Sequence, residues 1–222
     1  MKTIIESETP QDIAIEYIEK GLKFILLDLE ELDSIKDLRA AFPSVLTAFA
    51  GIEFISKLIY GKGHHSDNVV KYFDKWMSRI NPDYASKINS RHIGWILYDG
   101  LRCGLAHYGN VKAGIAVGSG KNHRKKHLSK TLFFGEETLF ILGMQFASEF
   151  VNSIEYLKEA VRNTTELQSS IISNGKKLEI VLAENRIEEE KQEPTPSSSD
   201  HGYQLGEQKI ETEGTSGWAK SK

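Results

Sequence analysis

The sequence predicts a mainly α-helical protein: an up-and-down helical bundle of four to five helices with a small β-hairpin insertion and a disordered C-terminal tail. Apolar residues recur at helical spacing over most of residues 10–172. Residues 113–118 and 130–135 are short, β-like runs, and residues 178–182 fit either a short strand or the end of a helix. The end of the chain is polar, acidic and poor in aliphatic residues, which is typical of disorder. We therefore divide the chain into a helical domain, residues 1–183, and a tail, residues 184–222.

The helices are predicted from their start and stop signals as well as their periodicity. Thr9 is a good N-cap, and Pro10 suits the first helical position. The second helix contains Pro43, which predicts a bend near its start. Asn81-Pro82 ends the third helix. The predicted helices cover residues 10–31, 35–60, 69–80, about 91–110, and 136 to about 172.

Length and composition restrict the class of protein to which this chain can belong. A length of 222 residues suits one domain with a sizeable core, and a net charge of -3 does not indicate a nucleic-acid binder by itself. The single cysteine, Cys103, excludes an internal disulfide and a cysteine-rich zinc cluster. The first residues lack the apolar core of a signal peptide, and charges interrupt every apolar run short of the roughly 18–20 residues that span a bilayer. The sequence thus predicts a cytoplasmic protein without a membrane segment.

One segment, residues 98–110 (YDGLRCGLAHYGN), carries ionisable residues inside an apolar, helix-like run. At about 100° per residue, Asp99, Arg102, Cys103 and His107 share one side of a helix, with glycines on the packing side. Arg102 and His107 lie about 140° apart at this repeat, so the polar face is incomplete in a single copy. A second copy across a dimer interface would complete it.

The residue types on this face restrict its chemistry. An arginine offers a permanently charged fork for phosphate or carboxylate, and a histidine can act as general acid or base. Asp99, three residues before Arg102, is placed to orient the guanidinium by an ion pair. The face has no second carboxylate for metal-dependent phosphodiester chemistry. Arg102 and His107 therefore suit metal-free RNA cleavage, in which the 2′-hydroxyl is the nucleophile.

The segment Arg102-Cys-Gly-Leu-Ala-His107 resembles the Arg-x4-His signature of the HEPN superfamily, and the helical layout over roughly residues 10–175 is compatible with it. The resemblance implies a homodimer, with Arg102 holding the phosphate and His107 as acid/base, without a metal or cofactor. It also implies either an endoribonuclease of a toxin–antitoxin or anti-phage system, with an antitoxin or other protein partner, or a module that only binds RNA, nucleotide or protein. Residue 103 departs from the pattern, because a polar residue often follows the arginine in active members.

Several features have two interpretations. Arg102 and His107 also fit a structural role, with the arginine paired to Asp99 and the histidine near a helix end. His64, His65 and His92 suit a polar loop better than a metal site, so no metal is predicted. The basic loop KNHRKKH either contacts RNA backbone or is a solvated hairpin tip. Its predicted RNA-binding residues are Lys121, Arg124, Lys125 and Lys126.

Overall fold

The computed structural model describes residues 9–35, 40–88, 90–104, 112, 114–119, 126–133 and 136–192, without the side chains of 131–136 and 180–192. Within these residues the protein is mainly α-helical with two small sheets, as predicted. The α-helices are α1 (Pro10–Ser34), α2 (Ala41–Tyr60), α3 (His65–Lys75), α4 (Ile93–Leu97), α5 (Gly143–Asn163) and α6 (Thr165–Gln192). The strands are β1 (Lys87–Ile88), β2 (Arg91–His92), β3 (Ile115–Gly118), β4 (Ser129–Phe133) and β5 (Glu136–Leu142).

The first two helices begin at residues that explain their position. The Thr9 hydroxyl accepts a hydrogen bond from the Asp12 N–H, and the Asp12 carboxylate accepts one from the Thr9 N–H, each at 3.2 Å. This reciprocal capping box confirms the predicted start of α1. Helix α2 begins at Ala41, later than predicted, so Pro43 lies in its first turn, where its missing N–H is tolerated. The predicted bend at Pro43 is therefore wrong.

Helix α2 is the centre of the core and packs against α1, α3, α5 and β3. Its Phe49 ring stacks on Phe146 at a centroid distance of 5.1 Å, and Phe73 and Tyr84 extend this aromatic cluster. Among the described helices, α2 alone is long and apolar enough to cross a membrane, and 56% of its most apolar window is buried inside the fold. Its apolar character is accounted for by its central position in the core.

The three-stranded sheet differs from the predicted hairpin. Strands β3 and β4 occur close to the predicted residues, but they do not pair with each other. Both pair with β5, β3 in parallel and β4 in antiparallel orientation. Residues 136–142 are therefore a central strand and not the start of a helix. Leu139, Phe140, Ile141 and Leu142 are all buried, so the run shows no alternation that would separate a strand from a helix.

The long helix predicted from residue 136 is two helices. Helix α5 ends at Asn163, Thr164 is extended, and α6 begins at Thr165. Helix α5 begins at Gly143, where an added Cβ would lie 2.4 Å from the carbonyl oxygen of Ala41, so a close backbone approach requires glycine here.

The chain divides into two units, Met1–Ala183 and Glu184–Lys222. The backbone of residues 184–192 is helical, and residues 193–222 lie outside the described part.

Candidate functional site

The predicted central helix is not a continuous α-helix. His92 caps α4 through its Nδ1, which accepts a hydrogen bond from the Gly94 N–H at 3.0 Å. After Leu97 the chain forms a six-residue π-helical segment, Tyr98–Cys103, which contains both Asp99 and Arg102. π-helices are rare and occur frequently at functional sites, because the widened turn moves side chains out of the α-helical register.

Arg102 is paired with a carboxylate that sequence reasoning missed. Its Nη2 donates a hydrogen bond to Glu53 Oε2 at 3.1 Å, and its Nε lies 2.5 Å from Oε1, an ionic contact without good N–H alignment. The side chains of Arg102 and Glu53 are 28% and 14% exposed. The hydrogen bond to Glu53 raises the pKa of the Arg102 guanidinium, so the arginine stays charged throughout the accessible pH range. Glu53 therefore holds the guanidinium fork at the surface of α2.

Asp99 does not orient Arg102. Its carboxylate accepts a hydrogen bond from Lys112 Nζ at 2.6 Å, so the predicted ion pair between Asp99 and Arg102 is wrong. The physical reason is the helical repeat: three residues leave the two side chains about 60° apart in an α-helix, but about 115° apart in a π-helix of roughly 4.4 residues per turn. Asp99 and Arg102 consequently point to different neighbours.

A cleft of about 340 Å³ lies between this helical segment and the three-stranded sheet. Its lining includes Arg91 and Trp95 together with two ion pairs, Lys112 with Asp99 and Lys130 with Glu137. The Arg91 guanidinium lies over the Trp95 ring, 5.1 Å from the centroid, and Trp95 is 36% exposed. The cleft thus combines cationic groups with an exposed indole.

Gly100 allows the π-helical segment to pack closely against the sheet. A Cβ at Gly100 would lie 2.1 Å from Ile115 Cδ1. The Lys112 N–H donates to the Gly100 carbonyl at 3.1 Å. Gly100 therefore lies on a packing side, as predicted, and the element packed against it is β3.

The structure describes only part of the predicted site. His107 lies outside the described residues, as do Lys121, Arg124 and Lys125 of the basic loop. Lys126 is described and exposed. The placement of Arg102 and His107 on one polar face therefore stays a prediction.

His127, the last residue of the basic loop, is buried and belongs to a polar network in the core. The Tyr84 hydroxyl donates a hydrogen bond to Glu149 Oε2 at 2.6 Å, and His127 Nε2 lies 3.1 Å from the same oxygen. The Leu142 N–H donates to His127 Nδ1 at 3.0 Å, which leaves the proton on Nε2, directed at Glu149. His127 therefore contacts the N-cap residue Leu142 and, through Glu149, the second turn of α5, and a solvent-exposed role for it is wrong.

The pKa of Glu149 results from opposing effects. Burial of its carboxyl group would raise the pKa, but hydrogen bonds from His127, Tyr84 and Gln145 together lower it below its ordinary value. Burial and the neighbouring Glu149 carboxylate raise the pKa of Tyr84 well above its ordinary value. The network is therefore most stable with an ionised glutamate and a neutral tyrosine.

Among the described residues, His92 and His65 lie at helix starts. His92 Nε2 pairs with Asp74, in addition to its cap at Gly94, and His65 is the first residue of α3. In the part of the chain that the structure describes, no group of three or more His, Cys, Asp or Glu side chains is placed to hold a metal ion.

The comparisons with known proteins add no relative: no protein-family model, no curated protein and no solved structure matches this chain. The candidate site therefore rests on its own geometry. Glu53 is its main addition to the sequence-predicted residues. The available signal was its position as the single acidic residue in the apolar stretch of α2.

Proposed function

We propose that this protein is a HEPN-like, metal-independent endoribonuclease that acts as a homodimer. The observation that carries the proposal is Arg102, which is held by Glu53 and displayed on a π-helical segment five residues before His107. Glu53 takes the Nε and Nη2 edge of the guanidinium and fixes its plane, so a phosphate would meet the edge formed by Nη1 and Nη2. The resemblance of the Arg-x4-His segment to the HEPN signature supports the same assignment.

The proposed reaction uses the RNA itself as the nucleophile. His107 accepts the proton of a 2′-hydroxyl, the 2′-oxygen attacks the adjacent phosphorus, and the bond from phosphorus to the 5′-oxygen breaks. The partner's His107 protonates the leaving 5′-oxygen, and Arg102 stabilises the charge on the phosphate. The products are a 2′,3′-cyclic phosphate and a 5′-hydroxyl. Lys121, Arg124, Lys125 and Lys126 would hold the backbone on either side.

The cleft beside the π-helical segment supports RNA as the substrate. Single-stranded RNA is recognised by stacking of its bases on aromatic rings and guanidinium planes. Trp95 and Arg91 provide both surfaces in this cleft. Its lysines, Lys112 and Lys130, are paired with Asp99 and Glu137, and Arg102 is not among its lining residues, so the cleft would hold a base next to the Arg102 site and not the scissile phosphate itself. We place the protein in the cytoplasm, in a toxin–antitoxin or anti-phage system with a protein partner.

The test is cleavage of a labelled single-stranded RNA in excess EDTA. The proposal predicts products with 2′,3′-cyclic phosphate ends, and no cleavage of a substrate with a 2′-deoxynucleotide at the scissile position. His107→Ala should abolish cleavage while the protein stays folded and dimeric. Equal cleavage by His107→Ala, or products with 3′-hydroxyl ends, would contradict the proposal.

Two observations favour a second function, a non-catalytic RNA-binding module. Glu53 neutralises much of the Arg102 charge, and Cys103 stands where active members of the resembled family often have a polar residue. In that case no RNA is cleaved, but a saturable, salt-dependent complex forms, and Glu53→Gln strengthens it by removing a negative charge. Cleavage gained by Cys103→Asn would identify a nuclease that has lost its activity.

A further inference from the structure

A second cavity, of about 490 Å³, lies at the loop between α2 and α3. Its wall contains Lys57 at the end of α2, Lys62 in the loop and Lys177 on α6, together with His65 and Asn174. None of the residues in this wall is acidic. Among the described contacts, these three lysines pair with no carboxylate, a property they share with lysines outside the wall such as Lys23 and Lys75, so it is their grouping in one wall that distinguishes them.

The loop that forms the floor of this cavity is held in place by two buried or half-buried amides. Asn68, which is 3% exposed, donates a hydrogen bond to the Gly61 carbonyl at 3.3 Å. Asn174 donates to the Leu58 carbonyl at 3.1 Å. Gly61 has a positive φ of 67°, and an added Cβ would lie 2.7 Å from Asn174 Oδ1. The lysines are thus arranged around a fixed backbone.

The polarity of the neighbouring helix adds to the positive charge. Helix α3 begins at His65, and its N-cap, His64, gives it no side-chain hydrogen bond. The N–H groups of the first turn of this eleven-residue helix form the positive end of the helix dipole, next to the loop. Asp67 in the same turn offsets part of this positive charge, but it is not among the residues that line the cavity. Three ammonium groups that share a cavity repel one another, and an anion between them relieves that repulsion.

We propose that this cavity binds a phosphate-bearing ligand, with a diphosphate group between Lys57, Lys62 and Lys177. Lysine ammonium groups bind phosphate as point charges, and the first turn of α3 supplies backbone N–H donors. The volume lies within the range of small-molecule sites and exceeds what a single phosphate needs. The group belongs either to inorganic pyrophosphate or to a nucleoside diphosphate. The inference does not depend on the activity of the Arg102 site.

The experiment is a titration of the full-length, isotope-labelled protein with pyrophosphate, ADP and adenosine, followed by amide chemical shifts at physiological salt. We expect saturable shifts at Lys62, Gly63 and His65 with pyrophosphate and with ADP, and none with adenosine. Tighter binding of ADP than of pyrophosphate identifies a nucleotide, and the reverse identifies the inorganic ion. No saturation at about 10 mM of either compound overturns the proposal, because that concentration fills even a site of millimolar affinity.

A matched pair of double variants separates a specific site from general attraction. Lys62→Gln with Lys177→Gln removes two charges from the cavity wall and should weaken pyrophosphate binding at least tenfold. Lys23→Gln with Lys75→Gln removes the same amount of charge from exposed positions outside the wall. This control should change the affinity for pyrophosphate less than twofold. All of these side chains are exposed, so both proteins should fold. Equal loss of affinity in the two variants would refute the site.

Discussion

The ion pair between Arg102 and Glu53 yields the most informative prediction, because it ties the candidate site to the stability of the fold. Removing only one partner leaves a half-buried charge without compensation. The side chains of Arg102 and Glu53 are 28% and 14% exposed, so this ion pair is intermediate between exposed and fully buried pairs. Exposed pairs contribute about 0.2–1 kcal/mol, and breaking fully buried pairs costs about 3–5 kcal/mol. We therefore expect Arg102→Gln to lower the free energy of unfolding by about 1–3 kcal/mol.

The measurement is a double-mutant cycle by urea denaturation, read by circular dichroism. Arg102→Gln and Glu53→Gln are compared with the protein that carries both changes. Because the double variant has no isolated charge, it should be more stable than the sum of the single effects by about 1–2 kcal/mol. Arg102→Gln should also lower the melting temperature by roughly 2–12 °C in a domain of this size. Additive effects, or a cost below about 0.5 kcal/mol for Arg102→Gln, would refute the reasoning.

Three further predictions concern other parts of the molecule. Gly143→Ala should destabilise the fold by about 1–3 kcal/mol in urea denaturation, because the added Cβ meets the backbone of Ala41; a neutral effect would contradict this contact. Trp95→Ala should weaken RNA binding by about 1–3 kcal/mol in a fluorescence anisotropy assay while Trp95→Phe retains most of it, and equal losses would exclude stacking. Because the pKa of Glu149 is lower in the folded protein than its ordinary value of 4.5, its carboxylate contributes to the free energy of unfolding. This contribution is fully present above pH 4.5 and is lost as the pH falls through the folded-state pKa. When the free energy of unfolding is measured as a function of pH, the Glu149→Gln variant should lack this loss at acid pH. The same pH dependence in the variant and the parent would contradict the network.

The sequence predicts the helical layers well, because their signals are local. Thr9 and Pro10 specify the start of α1, and apolar periodicity places α1, α2 and α3 within a few residues. Strand β5 is predicted as a helix because its apolar run shows neither the helical period nor the alternation of a strand. The structure explains this, since the residues of the strand are buried on both faces. Its two partner strands then had to be paired with each other in the predicted hairpin.

The candidate site is predictable in its residue types but not in its contacts. Asp99 and Arg102 lie only three residues apart, yet the π-helical turn directs one to Lys112 and the other to Glu53. No local signal in the sequence specifies a π-helix here. Glu53 is 49 residues away from Arg102 along the chain, so the pair appears only when α2 and the π-helical segment are packed together.

The central claim is that Arg102 binds the phosphate of an RNA substrate, and Arg102→Lys tests it most directly. Lysine keeps the positive charge beside Glu53, so the variant should melt within a few degrees of the parent protein. It lacks the planar fork that binds phosphate through two hydrogen bonds. We predict that RNA cleavage in EDTA falls at least about 100-fold in this folded variant, in line with loss of one transition-state hydrogen-bond donor. Cleavage within threefold of the parent would contradict the claim.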